Sequence, residues 1–358
     1  MAAAACATSM TAAVLYGKED VRLESVPVPA IGPGELLVGV RTALTCGTDV
    51  KVFMRGYHAR MIKPPALFGH ELAGDVVAVG EGVTNFRVGQ RVVAANSAPC
   101  DQCYFCRHGQ PNLCEDLLFN NGAYAEYIRI PARIVSKNTY VIPRGVDYKD
   151  AALVEPLACA IRGLEGSVQP GDTVAIIGLG PIGLKFVRLA KYAFGSRVVA
   201  LARRMEQVER AVAIGADEGI ALNRNVPLSG DSLAISQLKA RTEGRGADVV
   251  IEAVGIPEAW ELATRLVRKG GVINFFGGCS TGTKVGLDTS LLHYSEITCK
   301  ASFHHTPDHI RRALDLIADG TITAGHFVNH EEPLSQLPQV LEDMAYRRNG
   351  QIKTAIIP

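Results

Sequence analysis

Thr173-Val-Ala-Ile-Ile-Gly-Leu-Gly-Pro-Ile-Gly183 decides how the second half of this chain folds. Thr173 to Ile177 is an apolar, β-branched run of the kind buried inside a sheet, and Leu184 to Tyr192 has the spacing of an amphipathic helix. Between them stand Gly178, Gly180 and Gly183 in G-x-G-x-x-G register, with Pro181 and Ile182 inside the motif. The first glycine permits a tight turn, the second lets backbone approach a pyrophosphate, and the third lets the helix pack on the strand. Phosphates would then rest on the helix N-terminus, where free N–H groups and the macrodipole favour an anion. Alone the motif is weak; between a strand and a helix it is strong.

Outward from this unit the pattern repeats. Arg197 to Leu201 reads as a strand, Met205 to Ile214 as a helix, Asp248 to Ala253 as a strand, Glu258 to Val267 as a helix and Val272 to Phe276 as a strand. Such alternation predicts an α/β, doubly wound parallel sheet. Ala253-Val254-Gly255 and Phe276-Gly277-Gly278 follow two of its strands, where backbone can approach a cofactor. The second strand ends Leu201-Ala-Arg-Arg204, without the carboxylate that would hold a ribose 2′-hydroxyl. Arg203 and Arg204 suit a 2′-phosphate through charge-assisted hydrogen bonds, so NADP(H) is expected, with NAD(H) the alternative. The plainer reading is two solvated charges at a helix start.

The first part of the chain has another texture. Thr11 to Leu15, Leu36 to Thr42, Leu72 to Val79 and Arg91 to Ala95 are short apolar runs divided by Gly/Pro turns, which predicts a small β domain. With 358 residues, two domains are expected. A net charge of +1 gives no nucleic-acid footprint. No apolar run approaches the ~20 residues that span a bilayer. The Ala-rich residues 1–10 lack a basic leader segment and read as a disordered extension. The nine cysteines fit metal patterns better than a disulfide framework, so a reducing, cytoplasmic setting is expected.

Cys100, Cys103, Cys106 and Cys114 stand in C-x2-C-x2-C-x7-C register. Four soft thiolates from one loop suit a closed, tetrahedral, structural zinc. Free thiols or a disulfide pair are the alternative. A second set, Cys46, His70, Glu71 and Glu155, mixes S, N and O donors from distant segments and leaves room for a substrate.

Cys46-Gly-Thr-Asp49, Gly69-His-Glu-Leu-Ala-Gly74, the four-cysteine loop, Val154-Glu-Pro-Leu157 and the glycine loop together resemble the zinc-dependent medium-chain dehydrogenases/reductases. The resemblance runs from about residue 11 to the end. It implies a GroES-like β-rich catalytic domain over 11–155 and 296–358, and a Rossmann cofactor domain over 156–295. It also implies a catalytic zinc on Cys46 and His70, with Glu71 beside it. Glu155 stands where many alcohol dehydrogenases have a further cysteine, which resembles the sorbitol/polyol branch; nearby Cys159 is the weaker candidate. In such enzymes zinc acts as a Lewis acid on the substrate oxygen while hydride passes between substrate carbon and nicotinamide. Thr48 would relay the proton, although Lys51 stands where many relatives continue the relay with a histidine. Asp49 reads as a further relay or a turn-capping carboxylate.

The same resemblance places Phe303, with His304, and Lys353 near the cofactor; His304 and His305 otherwise read as a solvated pair. Tyr57, His58 and Arg60 would suit a hydroxyl-rich or anionic substrate, or be solvated loop residues. The expected substrate is a small-molecule secondary alcohol/ketone pair on a polyol, sugar or cyclitol, with simple secondary alcohols or aldehydes as the rival. A non-catalytic relative would lack one of Cys46, Thr48 or His70, and all are present. A homo-oligomer, tetramer or dimer, is implied, with no nucleic-acid or membrane partner.

Overall fold

A computed structural model describes residues 8–58 and 60–358. The chain forms two compact units, one from the residues up to Ala158 together with His305 to Pro358, the other from Cys159 to His304.

The second unit is the expected parallel sheet. Its order is Glu218–Ala221, Arg197–Ala202, Thr173–Ile177, Ala247–Glu252, Val267–Phe275 and Thr298–Ala301. Every neighbouring pair is parallel. Helices Pro181–Tyr192, Met205–Ala213, Ser232–Arg241 and Pro257–Leu266 connect the strands. The central strands Arg197–Ala202, Thr173–Ile177 and Ala247–Glu252 are almost wholly buried, as expected when both faces of a parallel sheet are covered. The unit runs beyond residue 295 because Thr298–Ala301 joins the sheet edge, with Val272 opposite Thr298.

The first unit is antiparallel in most of its pairings. Its main sheet runs Thr139–Val141, Arg91–Ala94, Leu72–Val79, Leu36–Leu44, Thr354–Ile357 and His330–Pro333, with Tyr127–Ile130 also on Leu36–Leu44. A smaller sheet pairs Ser9–Gly17 with Asp20–Pro27 and Ala66–Leu67. Order therefore begins ahead of Thr11, since Ser9 and Met10 already pair with Pro27 and Val26. The rest of the expected extension, residues 1–7, lies outside the described residues. Leu36, Val38, Phe68, Val92, Ile130, Leu337 and Ile356 share the core of this unit.

The C-terminal strand returns to the β-rich unit: Ala355 pairs antiparallel with Leu44, and Ile356 with Ala43. Leu72, at the start of its strand, also pairs with Ala43. Three neighbouring inner strands thus end side by side, and the residues just outside them, Cys46, His70-Glu71 and Lys353, are brought together. No described helix is long and apolar enough to cross a membrane.

Candidate active site

The four-cysteine lobe is built almost without a core. Its elements are Tyr104–Arg107 and Pro111–Leu113, each too short to be stable alone. The pairs Ser97 to Phe119 and Ala98 to Leu118 close its base. All four thiols converge, their sulfurs within 4.8 Å of one another, with Cys100 and Cys106 Sγ 4.0 Å apart. Tetrahedral Zn–S bonds of about 2.3 Å require S···S separations of about 3.8 Å, so the set has the right size. The amides of Gln102 and Cys103 donate to Cys100 Sγ, and that of Cys100 to Cys114 Sγ, at 3.3–3.4 Å. Backbone N–H groups of Cys106 and Glu115 hold the Cys103 thiol down to about 6, whereas burial pushes Cys106 up. Backbone N–H donors lower Cys100 as well, whereas burial also raises Cys114.

The second constellation sits at the strand ends. Cys46 caps the helix Gly47–Arg55; its Sγ accepts from the Thr48 amide at 3.4 Å, and its own N–H donates to Asp49 Oδ2 at 3.1 Å. Donor atoms of Cys46, His70 and Glu71 all lie within 4.8 Å of one another. His70 Nδ1 is 2.9 Å from Asp49 Oδ1, which leaves Nε2 as the free ligand atom. Burial disfavours a charged His70, yet Asp49 and Cys46 outweigh it and hold the imidazole well above its ordinary range. The pocket thus asks for a cation. Glu71 Oε1 is buried without a hydrogen-bond partner among the described residues, a further sign of a donor awaiting an acceptor. This donor set fits a zinc.

Lys353, expected near a cofactor, is 1% exposed, its Nζ 2.5 Å from Glu71 Oε2 and donating to Thr45 O at 2.7 Å. Burial opposes its charge, but Glu71 and then Cys46 overcome that and lift the ammonium above its ordinary range. Lys353→Met should destabilise the first unit by about 3–5 kcal/mol, because Glu71 is left as an uncompensated buried charge. Denaturant titration checks this, and adding Glu71→Gln should recover most of the loss. Equal destabilisation with and without Glu71→Gln would show that the pair does not hold the site.

Glu155 rides on the helix Val154–Leu164, and its Oε1 is 3.9 Å from His305 Nε2. His305, read from sequence as half of a solvated pair, is buried at 3% exposure, its Nε2 also 3.4 Å from Asn96 Oδ1. Thr48 is half-buried in the first helical turn and Lys51 is exposed. Asp49 is buried and serves as both helix cap and His70 partner. Tyr57 is exposed, whereas His58 Nδ1 accepts from the amides of Arg60 and Met61, so its proton sits on Nε2. Burial and the nearby His70 keep His58 below its usual range.

In the second unit the glycine loop has the expected form. Gly178 has φ +92, which favours glycine, and a Cβ on Gly183 would fall on the Gly178 carbonyl. A Cβ on Gly180 would meet no protein atom, so this face of the loop is open to a ligand. Pro181 starts the helix with Ile182 behind it. Arg203 and Arg204 are both exposed at the end of Arg197–Ala202. Arg224, which the sequence reading missed, joins them by donating to Arg203 O at 2.7 Å.

The two loops after the neighbouring strands are more committed than expected. Val254 and Gly255 N–H both donate to Glu252, a fully buried carboxylate with no sequence signature. Ala253 N–H donates to Ile177 O. The Gly277 N–H donates to Glu252 O, and its carbonyl accepts from Trp260 Nε1 at 3.2 Å. The Phe276 ring packs edge-on against Phe186 at 4.9 Å. Phe303 is 42% exposed, its carbonyl 3.4 Å from Arg162 Nη1.

Comparison with known proteins places these features together. Residues 32–143 match the alcohol dehydrogenase GroES-like domain, and residues 181–319 match the zinc-binding dehydrogenase domain. The chain is 30% identical over 358 residues to sorbitol dehydrogenase of Bacillus subtilis, covering 98% of each. It is 31% identical over 352 residues to L-threonine 3-dehydrogenase of Bacillus licheniformis, covering 96% of each. Among solved structures it resembles one described as a zinc-binding dehydrogenase of Sinorhizobium meliloti bound to NADP. That likeness has TM-score 0.88 and 31% identity, over 98% of this chain and 100% of the other.

Proposed function

Because the chain belongs to the zinc-dependent medium-chain dehydrogenases of the alcohol dehydrogenase superfamily, and is an oxidoreductase acting on alcohols, we propose that it interconverts a secondary alcohol and its ketone on a polyol, sugar or cyclitol with NADP(H). The observation that carries this reading is the convergence of Cys46, His70 and Glu71 within 4.8 Å at the ends of neighbouring inner strands. Cys46 and His70 hold the catalytic zinc, and Glu71 and Glu155 complete its surroundings, directly or through water. The zinc supplies Lewis acidity at the substrate oxygen. Thr48 presents the hydroxyl that moves the proton, two residues after Cys46 at the helix start. Cys100, Cys103, Cys106 and Cys114 hold a second, structural zinc. The protein works as a homo-oligomer in a reducing, cytoplasmic setting, with small-molecule substrates.

Cofactor choice follows from the strand end. Gly178, Gly180 and Gly183 cradle the pyrophosphate, and the paired guanidiniums of Arg203 and Arg204 receive the 2′-phosphate. Charge-assisted hydrogen bonds contribute about 1.5–3 kcal/mol each. Arg203→Ala/Arg204→Ala should therefore lower kcat/KM for NADPH by about 10²–10⁴-fold while changing that for NADH only slightly. Equal efficiency with both cofactors, unchanged in the double variant, would refute the NADP(H) assignment. The substrate class is tested by initial rates on polyols, ketoses, L-threonine and simple secondary alcohols, with and without a zinc chelator. Chelator-sensitive turnover of a polyol or ketose supports the reading; turnover confined to simple alcohols or to L-threonine replaces it.

A further inference from the structure

Tyr124 is a fully buried tyrosine that sequence reading passed over, and it touches the metal-type cluster from two directions. Its hydroxyl donates to Asp49 Oδ2 at 2.5 Å, with Leu44 O a poorer acceptor at 3.3 Å. Asp49 is shared: Oδ1 meets His70 Nδ1 at 2.9 Å, while Oδ2 takes the Cys46 amide and the Tyr124 hydroxyl. The two donors on Oδ2 fix the plane of the carboxylate, and that plane sets where Oδ1 meets the imidazole. They also draw charge from the carboxylate and so moderate its pull on the His70 proton.

The ring itself is held firmly. Tyr124 N–H donates to Phe68 O at 3.0 Å, and Tyr124 O accepts from Ala13 N–H at 2.8 Å. The ring meets Phe68 edge-on, with centroids 5.8 Å apart. It lies so close over Gly69 that a Cβ there would stand 2.6 Å from Tyr124 Cδ2. Gly69 immediately precedes His70. The amides of Gly122 and Ala123, just before Tyr124, both donate to Gly69 O. One short segment therefore grips the backbone on which His70 is mounted and, through its phenol, the carboxylate that orients the imidazole.

We propose that Tyr124 is a positioning residue for the catalytic metal: through Asp49 it fixes the tautomer and aim of His70, and so sets how tightly the Cys46/His70 site holds zinc. This rests on the zinc assignment proposed above. Outer partners of metal-bound histidines are worth about 10–100-fold in affinity, and the phenol acts one step beyond such a partner.

The test is Tyr124→Phe, which keeps the ring and its packing and removes only the hydroxyl. Zinc-loaded wild type and variant are mixed with excess chromophoric chelator, and metal release is followed by absorbance. Wild type should show a faster phase from the Cys46/His70 site and a slower phase from the four-cysteine site. In Tyr124→Phe the faster phase should accelerate by about 10-fold or more, with the slower phase unchanged. Cobalt substituted at the catalytic site should show a shifted visible band in the variant. An unchanged fast phase, or both phases accelerating alike, would overturn the proposal and leave Tyr124 a packing residue. Wild type releasing metal only from the four-cysteine site would overturn the site assignment itself, an outcome distinct from either.

Discussion

Cys46→Ala is expected to give a folded protein with half the zinc of wild type and alcohol turnover reduced by about 10³-fold or more. Without the thiolate, His70 and Glu71 remain on adjacent positions at the start of one strand. Two such donors, one already paired with Lys353, do not hold a metal in competition with water. Lewis-acid stabilisation of charge on the substrate oxygen is worth several kcal/mol, and each ~1.4 kcal/mol is tenfold in rate. Fold should survive, because Cys46 is half-buried and its capping contacts are weak N–H···S bonds at 3.4 Å. Zinc content by atomic absorption and turnover are measured on the same preparation. Full zinc content with lost turnover would assign Cys46 a role other than ligand. Retained turnover would remove the catalytic zinc from the mechanism.

The second large effect is structural. Cys103→Ser should unfold the lobe from Cys100 to Cys114 while the rest of the first unit stays folded. The lobe has little else to hold it: Tyr104 is 58% exposed, and beyond its base pairing the supports are peripheral. Arg133 reaches Asp116 Oδ2 at 2.8 Å, and Lys137 pairs with Asp101. Exposed pairs of this kind contribute about 0–1 kcal/mol, against an apparent 10–16 kcal/mol for a structural zinc in small domains. Limited trypsin digestion reads the difference at Arg107. Cleavage there should rise by at least about a hundredfold in the variant, and in wild type treated with a strong chelator. A lobe equally resistant with and without its metal would mean that packing alone holds it.

These expectations draw on features of different legibility. The glycine loop was readable because a tight turn, an open backbone and a close helix each demand glycine at one position of a short segment. The four-cysteine lobe was readable for a similar reason, since its ligands lie within one loop and their spacing almost specifies the cage. The paired arginines were readable as the residues that follow an apolar strand, Arg197–Ala202. The extra edge strand Thr298–Ala301 escaped because its side chains are largely exposed, so it lacks the apolar run of the inner strands.

The hidden part is the set of partners around each readable residue. Tyr124 lies 75 positions from Asp49, and Lys353 lies 308 from Thr45. Gly277 is hydrogen-bonded by Trp260 and to Glu252, partners 17 and 25 positions away. Glu155 lies 3.9 Å from His305, a neighbour that their separation in sequence concealed. Residue type and close spacing constrain backbone conformation and the donor atoms a short segment can offer, so the four-cysteine set and the glycine loop are written locally. Which distant groups meet depends on strand register and helix placement. Apolar alternation says which face of a strand is buried, but strands of similar pattern can pair in more than one order. Only the packed chain, with Ala355 set opposite Leu44, places a lysine beside Glu71 and a phenol beneath the aspartate of His70.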